Sequence, residues 1–369
     1  MTTGAPRLVV VGGGILGTMH AVEGARRGFE VVQLDRDAVP RGASVRNFGL
    51  VWVSGRAAGP ELELALRARE RWEEIARLAP AIGFRAAGSL TIARVPAEMA
   101  VIEEAVGRPD SGARGLSILT AAQVRATFPA ITGEVLAALR CTRDAIVEPR
   151  SVLGALRGAL EGSAAYTWLP GAHAVEVRDH AVRDHRGEWH DGDLVVCCPG
   201  AYPGAFLADQ LAVAPLRRVR LQMIETEPFA TEVTTAVADG DSFRYYPAYG
   251  GRARKGLPPQ ADVAARWSAQ LLLVQRATGH LTIGDTHAYD EPSSFDISDE
   301  PSRHLVASAA AILGGTLPAV ERRWDGVYVE ATAGGLYHRV AVAPGVVVVT
   351  GAGGRGMTLA PAIAEESFA

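Results

Sequence analysis

A single stretch near the N-terminus, RLVVVGGGILGTMHAVEGARRGFEVVQLD (residues 7–35), limits what this chain can become. Residues 8–11 form a short apolar run, suited to a parallel strand buried on both faces. Gly12, Gly14 and Gly17 then spell G-x-G-x-x-G. The first glycine permits a tight turn, the second lets the backbone approach a pyrophosphate, and the third lets helix pack on strand. Ile15, Leu16, Met19, Val22 and Ala25 keep helical spacing. A helix that opens at the turn offers its unpaired N–H groups and positive dipole end to phosphates. Gly28 stops that helix, and residues 30–34 read as a second strand. Asp35 closes it, where a carboxylate can accept hydrogen bonds from a ribose diol.

Composition narrows the partners. The 369 residues allow two domains and a large core. A hydrophobic content of 48% and a charged content of 21% are those of an ordinary globular protein. The net charge of −4 argues against a nucleic-acid surface as the main business. Lys255 is the only lysine among many arginines, which reads as codon bias. Three cysteines, with Cys197 and Cys198 adjacent, make neither a disulfide framework nor a zinc site. No HExxH, Cys/His cluster or Ser-His-Asp pattern is present, so no metal is expected. The first strand begins within eight residues of Met1, which leaves no room for a signal peptide, and no apolar run reaches spanning length. A reducing, cytoplasmic setting is expected.

After Asp35, residues 36–55 are rich in Gly, Ser and Asn and read as a loop wrapping a ligand. Residues 60–79 follow as an amphipathic helix, 88–93 as a strand, and 97–107 and 120–128 as short helices, the second capped by Thr120. An α/β rhythm returns over residues 145–200. From about residue 217 to 285 the pattern becomes alternating strands, VRLQMIET, SFRYYPAY, AQLLLVQRA and HLTIGD. Residues 300–314 read as a helix. The chain closes on a strand at 346–350, the glycine-rich turn 351–356, and a helix over 357–366. Two glycine-rich turns at opposite ends suit a cofactor longer than NAD.

These pieces, in order, resemble the FAD-dependent D-amino-acid oxidase superfamily, which includes glycine oxidase, sarcosine oxidase and D-amino-acid dehydrogenase. The resemblance rests on VVVGGGILG, GASVRNFG, EPRSVLGAL, GDLVVCCPGAY and VVVVTGAGGRGMTLAP, and covers nearly the whole chain. RNFGLVW and GGRGMT are most similar to a bacterial branch associated with phosphonate breakdown. The resemblance implies an α/β fold with a Rossmann-like FAD-binding domain, discontinuous over residues 1–80, 141–215 and 322–369. A substrate domain of mixed or antiparallel sheet, residues 81–140 and 216–321, is inserted in it.

The resemblance also implies site residues. Gly12, Gly14 and Gly17, with Ile15 and Leu16, would hold the pyrophosphate, and Asp35 with Arg36 the adenosine ribose. Ser44, Asn47 and Gly49 would follow the phosphates and ribityl chain. Val175 would present backbone to the adenine, and Gly200 would close the middle strand beside the cofactor. Gly353, Gly354, Arg355, Gly356, Met357 and Thr358 would bring N–H groups to the pyrimidine side of the flavin, where negative charge develops on reduction. No cysteine follows Cys198, so the flavin is expected to be non-covalent. Thr282 stands where sarcosine oxidases carry an oxygen-promoting lysine, so that position is expected to lack a cation. Tyr328, in Trp324-Asp-Gly-Val-Tyr, stands where amino-acid oxidases keep an arginine for the substrate carboxylate.

Six residues are candidates for substrate binding. Arg46 either faces the ligand or pairs with a neighbouring helix. On an alternating strand, Arg244 and Tyr246 would share one face and Tyr245 the other; that face either lines the pocket or meets solvent. His287, after Asp285, is a base, an anion contact or a structural residue. Tyr328 and Arg355 complete the set. The implied reaction is hydride transfer from the carbon beside a small amine to flavin N5, with oxygen or another electron acceptor and no obligatory side-chain base. A D-amino-acid or glycine dehydrogenase or oxidase, a biosynthetic tailoring enzyme and a non-catalytic FAD-binding subunit are the alternatives. Because Cys198 is the last cysteine, acid precipitation should leave all the flavin in the supernatant. Flavin retained in the pellet would contradict the expectation.

Overall fold

The computed structural model describes residues 4–202, 204–289 and 296–369. The opening stretch folds as strand β1 (Arg7–Val11), helix α1 (Ile15–Arg26) and strand β2 (Glu30–Asp35). β1 is apolar throughout because both faces are covered. Leu8 and Val10 join one core cluster while Val9 and Val11 join another. β1 pairs in parallel with β2 on one side and with Leu194–Cys197 on the other. The full order is His338–Ala343, Val346–Thr350, Leu194–Cys197, β1, β2 and Tyr166–Pro170. Only His338–Ala343 runs antiparallel. Helices α1, Pro60–Leu78 and Gly356–Glu366 pack together on one face. On the other face, Ala174 and Val182 of a small three-stranded sheet pack against Val9, Val11 and Leu34.

A second, nine-stranded sheet carries the rest. Its longest ribbon pairs Leu216–Pro228 with Val320–Ala331, in register from Leu216 opposite Ala331 to Glu225 opposite Arg322, with a shift before Thr226 meets Val320. Ala236–Ala238 runs parallel to Ser89–Ala93, and the remaining pairs are antiparallel. Helices Asp299–Leu313 and Ala121–Thr127 cover one face through Leu305, Ala309, Ile312 and Val124. Thr120 caps the shorter helix as the sequence indicated: its hydroxyl accepts from Gln123 N, and the Gln123 side chain accepts from Thr120 N.

Two expectations need correction. Residues 242–249 are not a strand. Ser242, Phe243 and Arg244 donate in turn to the carbonyls of Asp239, Gly240 and Asp241, and Arg244 pairs with Asp241. The segment coils into helix Ser242–Tyr245 and a 3₁₀ turn Pro247–Tyr249, so alternation does not apply. Val320–Ala331, assigned in part to the cofactor portion, belongs instead to the larger sheet. Its run of Glu321, Arg322 and Arg323 hides a strand that is half-exposed and gains its order from its partner. Among the described residues, no helix is long and apolar enough to cross a membrane.

One buried carboxylate ties the cofactor loop to the larger sheet. Asp144 is fully buried. It accepts from Val53 N (2.5 Å), Ser54 N (2.9 Å), Ser54 Oγ (2.6 Å) and Ser89 Oγ (2.6 Å). Removing it strands four buried donors, each costing about 1–3 kcal/mol when unsatisfied. Asp144→Ala should lower unfolding stability by at least about 3 kcal/mol. Urea unfolding of the flavin-loaded protein measures this, and a loss below about 1 kcal/mol would show that the loop is held elsewhere.

Candidate active site

The β1–α1 turn is built for close approach. Gly12 has φ +117°, and a Cβ there would lie 2.4 Å from the Cys198 carbonyl oxygen. A Cβ on Gly17 would lie 2.0 Å from the Gly12 carbonyl oxygen, so helix and turn touch backbone to backbone. At Gly14, the helix cap, a Cβ would meet only Ser44 Oγ at 3.2 Å. No side chain caps α1 through Gly14, although Ile15 N donates to Ser44 Oγ (2.9 Å). Asp35 anchors the turn by accepting from Gly13 N (2.5 Å) and Asp37 N (2.7 Å).

These residues line a cavity of about 230 Å³ with Leu16, Gly17, Arg36 and Gly200. It adjoins a larger cavity of about 500 Å³. The two share Ile15, Ala43, Ser44, Tyr328, Gly353 and Gly356 as walls. The closing helix Gly356–Glu366 starts there, with Arg355 at its cap and no side-chain cap bond. The joined cavities therefore receive two helix N-termini whose cap residues make no side-chain bond, and their remaining N–H groups and dipoles favour anionic ligand groups. A dinucleotide fits this arrangement: Gly12–Gly17 would hold the pyrophosphate, Asp35 the ribose, and Gly353–Met357 the electron-rich end of a flavin.

The other expected cofactor contacts divide. Asn47 lines the larger cavity, but its side chain is spent on the loop, donating to Ala43 O and Ser44 O and accepting from Gly49 N. Gly49 (φ +69°) lies outside both cavity walls and packs on Val147, whose carbonyl oxygen would be 2.0 Å from a Cβ. Thr358 is buried outside both walls, accepting from Trp52 N (2.9 Å) and donating to Leu50 O (3.3 Å). Val175 is part-exposed on its strand, and Ala172, His173 and Ala174 line the cavity instead.

Among the substrate candidates, Tyr246, His287, Tyr328 and Arg355 line the larger cavity. Arg46 does so while paired with Asp325 (3.3 Å), which lies on strand Val320–Ala331 and not on a helix. Arg244 does not: its guanidinium bonds Asp241 and the Pro258 carbonyl. Sequence reasoning missed Arg56, Glu61, Arg217, Tyr245, Asp285, Tyr289 and Glu330, all on the same wall. Arg56 and Glu61 end the glycine- and serine-rich loop and begin the next helix, the only local signal for them. Arg217 and Glu330 meet only through strand pairing, at 2.5 Å.

The wall has two chemical ends. At one, Glu61 lies 3.5 Å from Arg56 and 3.8 Å from Arg355, and Arg355 Nε is buried without a hydrogen-bond partner. At the other, Tyr245 stacks on His287 with centroids 4.3 Å apart, and Asp285 Oδ2 lies 3.5 Å from His287 Nε2. Burial raises the Asp285 carboxyl above the ordinary carboxylate range, against the pull of His287. A point beside Gly354 lies within 4 Å of both the Tyr328 and Tyr245 hydroxyls. Burial drives both phenols well above their usual range, so they stay protonated. Among the described residues, no group of three or more His, Cys, Asp or Glu could hold a metal.

Thr282 corrects another expectation. It is buried behind the wall, and Arg276 Nε donates to its hydroxyl at 2.8 Å. The same guanidinium donates to Phe48 O (2.6 Å), and the Phe48 ring lines the cavity. Burial lowers the Arg276 pKa to about 10, which still leaves it charged at neutral pH. The place without a lysine thus has a cation beside it, brought by the turn that follows strand Leu272–Gln275.

Residues 7–367 match the family described as FAD dependent oxidoreductase. The chain belongs to that family. The tRNA 5-methylaminomethyl-2-thiouridine biosynthesis bifunctional protein of a Caulobacter species is 26% identical over 379 residues, 97% of this chain and 53% of that protein. The chain spans about half the length of the curated relatives it matches. Glycine oxidase from Bacillus cereus has a similar fold, with TM-score 0.78 and 18% identity, covering 98% of this chain and 93% of that one. Iminodiacetate oxidase from Chelativorans follows, with TM-score 0.74 and 19% identity, covering 97% and 93%. This member of the FAD-dependent oxidoreductases is therefore a flavoprotein enzyme, and the joined cavities are the place its family's cofactor fits.

The glycine geometry separates two variants. Gly12→Ala forces a side chain onto a backbone carbonyl at an unfavourable φ, whereas Gly14→Ala meets only a movable hydroxyl. Gly12→Ala should abolish FAD retention through purification, and Gly14→Ala should weaken it while leaving flavin detectable. The absorbance ratio of flavin to protein checks this, and equal retention in the two variants would contradict it.

Proposed function

We propose that this flavoprotein oxidises the C–N bond of a small amine that carries an anionic group at its far end, with 2-aminoethylphosphonate or its N-methyl form as the best fit. The observation that carries the reading is that one cavity wall holds both a guanidinium group and an Asp285–His287 group. Arg56 and Arg355 share the single carboxylate of Glu61, leaving excess positive charge on one side. Asp285, His287 and Tyr245 make the other side suited to an amine. Tyr328 stands at the position of the family's carboxylate-gripping arginine, so a plain α-amino acid lacks that bidentate partner. A phosphonate dianion matches guanidinium donors in charge and geometry.

When bound, FAD supplies the hydride acceptor. The chain's own residues bind and orient. Arg56 and Arg355 fix the anion, and Asp285 receives the ammonium. Phe48, Leu221, Met223 and Leu272 line the cavity with apolar surface that limits water near the reacting carbon. Three names among the relatives support an amine: glycine oxidase, iminodiacetate oxidase and a methylaminomethyl-forming enzyme. Oxygen or another electron acceptor would complete the cycle.

Anaerobic mixing with candidate amines, followed by flavin absorbance, tests the reading. N-methyl-2-aminoethylphosphonate or its parent should bleach the flavin faster than glycine, sarcosine or D-alanine. Arg56→Ala and Arg355→Ala should each raise KM for the phosphonate by roughly ten- to a hundredfold, the loss of one charge-assisted hydrogen bond of about 1.5–3 kcal/mol. Their effect on a neutral amine of similar length should be much smaller. A faster reaction with D-alanine or sarcosine, or equal effects on both substrates, would defeat the phosphonate assignment.

A further inference from the structure

We infer that His287, set by the Ser268 carbonyl and faced by Asp285, is the base that removes the proton from the substrate ammonium. The inference rests on the amine-oxidation reading above, and it goes beyond orientation to a side chain that changes its protonation during turnover.

The tautomer of His287 follows from its neighbours. Two successive carbonyls at the end of helix Asp262–Trp267 hold the residue: His287 N donates to Trp267 O (3.0 Å), and ring Nδ1 lies 3.0 Å from Ser268 O. A carbonyl oxygen only accepts, so Nδ1 carries the hydrogen. In the neutral ring, Nε2 is then a bare lone pair. That lone pair lies 3.5 Å from Asp285 Oδ2, and both residues line the larger cavity. The ring cannot easily turn away. Tyr245 stacks on it at 4.3 Å with an interplanar angle of 26°, and Tyr289 lies near-parallel at 6.1 Å and 16°. The His287 side chain is 1% exposed, and bulk water is a poor alternative base there.

The surrounding charges leave this pair as the proton acceptor. Tyr245, Tyr246 and Tyr328 are phenols that burial keeps protonated. The Tyr289 phenol is raised too, and Arg217 lies over its ring at 4.1 Å. Glu330 is engaged by Arg217, and Glu61 by Arg56 and Arg355. Asp285 and His287 together have room for one proton: on the carboxyl with Nε2 bare, or on Nε2 facing a carboxylate. Burial disfavours a lone carboxylate at Asp285. An incoming ammonium restores its partner charge. With the ammonium bound, Asp285 has released its proton to solvent and is a carboxylate, and Nε2 is bare; in the step proposed, the ammonium N–H bond breaks and an Nε2–H bond forms. The electron pair stays on the amine nitrogen, ready to form the C=N bond as hydride leaves carbon. The imidazolium that results is balanced by Asp285.

The pH dependence of anaerobic flavin reduction tests this. Wild type, His287→Asn and Asp285→Asn, all loaded with FAD, are mixed with saturating N-methyl-2-aminoethylphosphonate and, separately, sarcosine. In His287→Asn the introduced carboxamide can still donate to Ser268 O, so the loop should keep its shape; flavin content and visible spectrum check that. Wild-type reduction should level off well below the pKa of the free amine. In His287→Asn the rate should fall roughly tenfold per pH unit below the amine pKa and recover to within a few-fold of wild type near pH 10. Asp285→Asn should shift the profile in the same direction by less. A rate lowered equally at every pH, or a profile that matches wild type, would overturn the assignment of the base. A shifted profile with sarcosine alone would support the base and count against the phosphonate. If neither amine reduces wild-type flavin at any pH, the amine reading and this inference fall together.

Discussion

Two helices, one near each end of the sequence, begin at cap residues that supply no capping side chain, and both open into the same space. A buried helix start without partners is unfavourable. The arrangement suits a long anionic ligand, and much of the architecture serves to bring these two ends together. β1 and Val346–Thr350 sit on either side of Leu194–Cys197 in one parallel sheet, so their C-terminal turns point the same way. α1 and the closing helix then pack against each other on one face. The glycines at the turns are a consequence, because any Cβ at Gly12 would strike the Cys198 carbonyl.

How much of this the sequence disclosed depends on how local the cause was. Gly12, Gly17 and Asp35 act within one strand-turn-helix-strand unit, and their spacing is enough to place them. The capping of Ala121–Thr127 is likewise contained in four residues. Tyr245 was put on the wrong face, because helical capping by Asp239, Gly240 and Asp241 overrode an apparent alternation. Arg217 and Glu330 were invisible because nothing near them in sequence marks them; strand register brings them to the cavity. Arg276 shows the same limit from another side. Position 282 could be compared with relatives, but the guanidinium that serves it comes from the turn after strand Leu272–Gln275, and only the folded hairpin brings the two together.

Charge is distributed in the larger cavity so that no end is neutral. Four guanidinium groups and three carboxylates line it, with His287 added. Arg217 is closely matched by Glu330, Arg46 shares Asp325 with Arg220, and Arg56 and Arg355 divide Glu61 between them. The result is a polarised chamber with apolar side walls, in which a zwitterionic molecule has one preferred direction.

The ribbon of Leu216–Pro228 and Val320–Ala331 also bears on how the protein assembles. It supplies Arg217, Leu221, Met223, Gly326, Tyr328 and Glu330 to the cavity wall. Its two strands are separated by the whole segment 229–319, which includes four further strands of the same sheet and the helix Asp299–Leu313. Closing so long a loop carries an entropic cost before any cross-strand contact compensates it, and non-local pairing of this kind slows folding. The chamber is therefore among the last parts of the molecule to take shape. A nascent chain can form the N-terminal turn early, yet the two helix starts can meet only once synthesis has passed residue 356.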